Sequence, residues 1–222
     1  MSVWWALAVV DRAPDGLAQI DGARLEAFAL DEHAALIAAE LPAMPVAGLD
    51  ALRRHDAAVR ALAEHVRAVL PVRFGAHASD PARLVERLRG REDALHEGLE
   101  RVHDAVQVTV RAMRGPPLVF APIDDRDASL GPGARFLRQR ARVPRPPRWD
   151  VLTASLRAHV RAERLDEGDP RFDAWRVYHL VPRAAEPAYR AELARVVAEV
   201  PDWELVAGVS SPPYAFAAEV LS

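Results

Sequence analysis

The chain contains no cysteine and no lysine. The first absence excludes disulfides, thiol nucleophiles, zinc knuckles and iron–sulfur ligation, and it fits a cytoplasmic protein. The second makes all 29 basic side chains arginine, set against 32 acidic ones for a net charge of -3. With no block of five or six like charges, the footprint of a nucleic-acid binder is missing. Long apolar runs are missing too. The longest, Val3–Val10, has eight residues, where a membrane helix needs about twenty, and no basic segment precedes it as in a signal peptide. Glycine is sparse, at 11 of 222 residues. It forms neither a Gly-x-Gly-x2-Gly phosphate loop nor a Gly-x-Ser-x-Gly nucleophile elbow.

What is present is alanine and a mixture of two periodicities. Val3–Val10 is apolar on both alternating faces, which predicts a central strand covered on both sides. The pattern then predicts a weaker strand over 24–30, a helical stretch at 31–40 and, capped by Asp50, a helix over 51–68. That helix carries Leu52, His55, Val59, Leu62 and Val66 on one stripe. Asp80-Pro81 opens another helix, Gly90 interrupts it, and a further one covers 91–102. Residues 105–112 alternate cleanly, Val106, Val108 and Val110 against Gln107, Thr109 and Arg111, and predict a half-buried strand in one sheet with 3–10.

A proline- and glycine-rich connection follows, and the domain boundary is placed in it. Residues 1–115 form an N-terminal α+β domain, 116–130 a linker and 131–222 a C-terminal α+β domain. In the second domain, helices at 134–141 and 149–160 precede a strand at 175–181, a helix from Pro187, a strand at 203–209 and a last extended segment after Pro212-Pro213. The order of strands and helices predicts two small ferredoxin-like modules of split β-α-β type.

Candidate chemistry is thin. His55-Asp56 has the look of a metal phosphohydrolase pair, with His33 the upstream candidate, but His55 lies on the apolar stripe and reads as a packed structural histidine. His96 and His103 read as solvated helix residues, and Asp124, Asp125 and Asp127 as a solvated linker without the pattern of a calcium loop. No cofactor and no metal site are expected. The tryptophans, Trp4 and Trp5 among them, read as packing residues rather than base-stacking platforms.

Three segments, taken in order, resemble the gas vesicle protein family GvpL/GvpF. They are His55 running into Val69-Leu70-Pro71-Val72-Arg73-Phe74-Gly75; Gly131-Pro132-Gly133-Ala134-Arg135-Phe136-Leu137-Arg138; and Val177-Tyr178-His179-Leu180-Val181-Pro182 followed by Gly208 and Pro212-Pro213-Tyr214-Ala215-Phe216. The likeness spans almost the whole chain. It departs where the family's threonine is Ala76, where its glycine and glutamate before the 105–112 strand are Asp104 and Gln107, and where its Gly-Pro-Trp is Gly208-Val209-Ser210-Ser211.

The resemblance implies a two-domain, non-enzymatic accessory protein of gas vesicle assembly, cytoplasmic and vesicle-associated. Its partners would be the hydrophobic shell subunit and other accessory proteins, with no nucleic acid and no membrane. Candidate contact or structural residues are Arg73, Phe74, Gly75, Pro212, Pro213, Tyr214 and Phe216. On this reading Tyr214 and Phe216 project from one side of an extended backbone. The alternative is a small-ligand binder or enzyme on ferredoxin-like domains, with a pocket near His55 and Arg73.

Overall fold

Val3–Val10 forms strand β1, and every residue from Trp5 to Val10 is buried, as a strand with an apolar pattern on both faces requires. The computed structural model describes residues 2–14, 19–20, 23–114, 149–166, 174–199 and 203–221. Their chain divides into two compact units. The first comprises Met1–Val108, Leu180–Arg183 and Val209–Ser222, the second Thr109–His179 and Ala184–Gly208. The 116–130 linker, the 134–141 helix and the Gly131-Pro132-Gly133 motif lie outside the described residues.

In the first unit β1 is flanked by β4 (Ala35–Leu41) and β5 (Val69–Pro71), antiparallel to both. The sheet order is β2 (Gln19–Ile20), β3 (Ala23–Ala29), β4, β1, β5, with β6 (His77–Ala78) also on β1. A bulge between Ala6 and Ala8 sets two residues of β1 against one of β4, which shifts the side-chain phase in mid-strand. Trp5 and Leu7 before it and Ala8 and Val10 after it therefore enter one core cluster, which Ala58, Val59, Leu62 and Ala63 of α1 (Leu49–His65) close. Further on, α2 (Pro81–Glu86) starts as its sequence predicts, Asp80 Oδ1 accepting the Ala82 amide at 2.8 Å. α3 (Glu92–Val102) buries Leu95, Leu99 and Val102 and packs on β5 and on α6 (Tyr214–Leu221).

Five sequence expectations are corrected in this unit. Most of the stretch 31–40 belongs to strand β4, not to a helix: Ala35 to Ala39 are all buried between β3 and β1, and two-sided burial in a ladder outweighs alanine's helix propensity. The last segment is not extended but helical, as α6, its first turn closed by Phe216 and Ala217 amides donating to the Pro213 carbonyl. The cap of α1 is Gly48, with no side-chain hydrogen bond, so Asp50 sits inside the first turn. Leu52 is 47 % exposed and leaves the stripe to Ala51, His55, Ala58, Val59, Leu62 and Ala63. Four strands precede the first helix, so this unit does not follow the β-α-β-β-α-β order.

The second sheet has the order β10 (Trp203–Ala207), β7 (Ala105–Arg114), β9 (Ala174–Pro182), β8 (Ala162–Asp166). Along the chain α4 (Trp149–Leu156) lies between β7 and β8, and α5 (Glu186–Glu199) between β9 and β10. First strand beside fourth and third, third beside second, is the split β-α-β arrangement. Strand β7 thus belongs to this sheet and not with β1, because its partner β10 arrives ninety residues later with matching register, Trp203 opposite Arg114 through Ala207 opposite Val110. β7 and β9 each give residues to both units. In the second unit Ala112, Trp175, Val177 and Val196 form a buried cluster, with Leu165 and Leu205 packed against it.

Candidate functional site

The histidine-headed motif is assembled around a single hydrogen bond. His55, on the inner face of α1 and 3 % exposed, has Nε2 2.9 Å from the Val72 carbonyl. That oxygen can only accept, so Nε2 carries the proton. The Val72 amide donates to Leu7 at 2.9 Å, so helix, Val72 and β1 are joined in series. Beyond it Phe74 stands edge-on to both Trp5 and His55, with centroids 5.8 Å apart in each case, and Trp5 lies 5.2 Å from the His55 ring. Gly75 then takes φ +94°, a conformation that side chains with a Cβ rarely adopt, and turns the chain toward β6. Of the motif, Arg73 and Gly75 are exposed.

Burial lowers the His55 pKa from its ordinary 6.5, the Val72 carbonyl and the Asp56 charge opposing it in part. The folded protein therefore keeps the ring neutral where the unfolded chain protonates. The stability contributed is complete above pH 6.5 and is lost as pH falls through the folded pKa. Urea midpoints are expected to decline as pH falls below the ordinary histidine range, and His55→Gln to flatten that decline. An equal slope in the variant would contradict the assignment.

The C-terminal motif is built into the first unit. Gln107 of β7, 4 % exposed, exchanges two backbone hydrogen bonds with Ser211, at 2.9 and 3.0 Å, and its Oε1 accepts the Ala215 amide at 2.8 Å. Pro212, Pro213 and Phe216 are buried. Tyr214 packs on the same core cluster as Phe74, and burial first, then the Asp56 charge, raises its phenol pKa. Because the segment is helical, Tyr214 and Phe216 point about 200° apart instead of to one side. Arg60 adds a tie, Nη1 donating to the Ser210 carbonyl at 2.7 Å while Nε holds Asp56.

Two departures from the family pattern acquire physical reasons here. Asp104 has φ +50°, a region where glycine is at ease and aspartate is among the tolerated alternatives. Its backbone bonds to both Arg67 and Arg183, and its carboxylate pairs with Arg67. Gln107 serves through an amide oxygen, an acceptor that glutamate would also provide.

Chemistry-bearing residues gather at two other places. In the first unit a cavity of about 310 Å³ is lined by Asp11, His33, His96, Glu100 and His103, with Ala68 and Leu99. His96 is not free in solvent: its Nε2 meets Asp31 Oδ2 at 3.0 Å and its ring lies 6.0 Å from that of His33. Burial works to raise the Asp31 pKa, but the His33 amide and His96 outweigh it and hold the carboxyl low. In the second unit His179, 2 % exposed, has Nδ1 2.6 Å from the Tyr189 hydroxyl and Nε2 3.2 Å from Glu163. Acid, imidazole and hydroxyl in line resemble an activated nucleophile, yet Tyr189 is fully buried and the line holds the core together. Among the described residues no group of three or more His, Asp or Glu side chains is placed to hold a metal ion.

Sequence reading missed the Asp31–His96 and Glu163–His179–Tyr189 sets, whose members lie 10 to 65 positions apart. The one local signal was His179 on the inward phase of a strand, between Val177 and Val181.

The chain matches the family described as gas vesicle synthesis protein GvpL/GvpF over residues 4–218. It shares its fold with the crystal structure of GvpF from Anabaena sp. PCC7120, at a TM-score of 0.76 and 12% identity, covering 98% of this chain and 96% of that one. GvpF from Microcystis aeruginosa gives 0.73 and 15%, covering 97% and 98%. No curated protein matches it in sequence.

Proposed function

Because the chain belongs to the GvpL/GvpF family of gas vesicle synthesis proteins, we propose that it is a non-enzymatic accessory protein of gas vesicle assembly, binding the hydrophobic shell subunit and other accessory proteins in the cytoplasm. The observation that carries this reading is the family match across residues 4–218. The choice of surface is supported by which side chains are left in water. Phe74, Pro212, Pro213, Tyr214 and Phe216 are drawn wholly or partly into the core. Their part is to shape the unit that presents the contact.

Val46 (90 % exposed), Leu49 and Leu52 stand out as large apolar side chains left in water around the start of α1. Together they suit an apolar partner, and the exposed Arg73 supplies a polar contact. A shell-subunit capture assay is expected to lose tenfold or more in affinity with Leu49→Asp plus Leu52→Asp, about 1.4 kcal/mol or greater, and less with Arg73→Glu. Undiminished capture by the folded double variant would place the contact elsewhere. No capture by the unaltered chain would count against the proposed function itself.

A further inference from the structure

Among the described residues the second sheet ends in two edges of opposite character. At one end β8, Ala-Glu-Arg-Leu-Asp, carries three charges in five residues, the usual protection of an edge. At the other end β10, Trp-Glu-Leu-Val-Ala, carries one. Its register fixes which backbone groups are spare. The Gly208 amide donates to the Thr109 carbonyl at 2.9 Å, and Ala207 pairs with Val110 in the same register. Hydrogen-bonded pairs alternate along an antiparallel ladder, so Glu204, Val206 and Gly208 bond inward to β7. Trp203, Leu205 and Ala207 direct their N–H and C=O outward. Beyond Ala207 the chain is engaged again, Gly208 by Arg190 and Ser211 by Gln107. Val206 is 44 % exposed, and Glu204 and Ala207 are exposed as well.

We propose that β10 is a self-association edge, pairing antiparallel with β10 of a second copy of this chain about a twofold axis at Leu205. The open stretch fits itself. Leu205 opposite Leu205, and Trp203 opposite Ala207 on either side, are all outward-bonding residues, so the pairing satisfies every spare group of the edge. Glu204 then faces the partner's Val206 in the closely spaced, non-hydrogen-bonded pairs, and no like charges meet. Leu205 already packs on the Trp175–Val196 cluster, so the two clusters join across the axis.

The test is sedimentation equilibrium of the full chain from about 1 to 100 µM, a range in which a modest interface registers. A reversible dimer is expected. Val206→Glu sets two glutamates against two and should weaken it tenfold or more. Val206→Lys sets lysine against glutamate and should leave it as tight or tighter. A monomer over the whole range overturns the proposal, as does a dimer on which the two charge variants act alike.

Discussion

Truncation after Gly208 is expected to unfold the first unit. The deletion takes Phe216 and Ala217, 5 % and 0 % exposed, out of the face that α3 and β5 pack against. Losing one buried phenylalanine alone costs about 3–5 kcal/mol. It also strands the inward-facing Gln107, whose backbone and amide oxygen bond to Ser211 and Ala215. Each buried polar group left unpaired adds about 1–3 kcal/mol, and the sum rivals the whole stability of an ordinary domain, about 5–15 kcal/mol. Near-ultraviolet circular dichroism and urea unfolding are the measurements. The truncated chain should lose its aromatic signal and part of its cooperative transition, and Phe216→Ala in the full chain should shift the midpoint by the smaller amount. A truncated protein with an unchanged spectrum and midpoint would show that α6 is dispensable to the fold.

The second large effect lies in the other unit. Glu163 can only accept, which puts the His179 proton on Nε2 and leaves Nδ1 to accept from Tyr189. Removing the ring opens a cavity and leaves a fully buried hydroxyl without its partner, so His179→Ala is expected to destabilise by about 3–5 kcal/mol. Tyr189→Phe, which keeps the volume and orphans only Nδ1, should cost about 1–3 kcal/mol. In the double variant the hydroxyl is gone as well, so its loss should fall short of the sum of the two. Chemical denaturation of the three variants gives the comparison. Strict additivity would mean that the short contact contributes nothing of its own.

Particular elements mark what the sequence could and could not convey. β1 was legible because eight apolar residues in a row leave a short segment little choice, and α2 because Asp80 and Pro81 are both local signals. β4 was not. Its Ala-Leu-Ile-Ala-Ala composition suits a helix, and only burial between two strands, a fact of the assembled sheet, decides otherwise. The two prolines before Tyr214 suggested an extended lock, although proline is equally at home in the first turn of a helix, which is where Pro213 accepts its bonds. The family motif was visible as a string of letters. Its reason was not, since the bond from His55 to Val72 spans 17 positions and leaves no periodic trace.

The interleaved course of the chain bears on its synthesis. Every residue of the second unit has left the ribosome once Gly208 emerges, while the first unit, begun at the N-terminus, still awaits 209–222. A translating chain therefore holds the β1–β5 sheet unfinished for more than a hundred residues, with the face destined for α6 uncovered. Strands β7 and β9 must meanwhile supply residues to both units. Folding of domains in simple N-to-C order, the common course for multidomain chains, is closed to this topology. Completion of the first unit waits until every residue of the second has emerged, and is sensitive to any pause that delays the arrival of Tyr214 and Phe216.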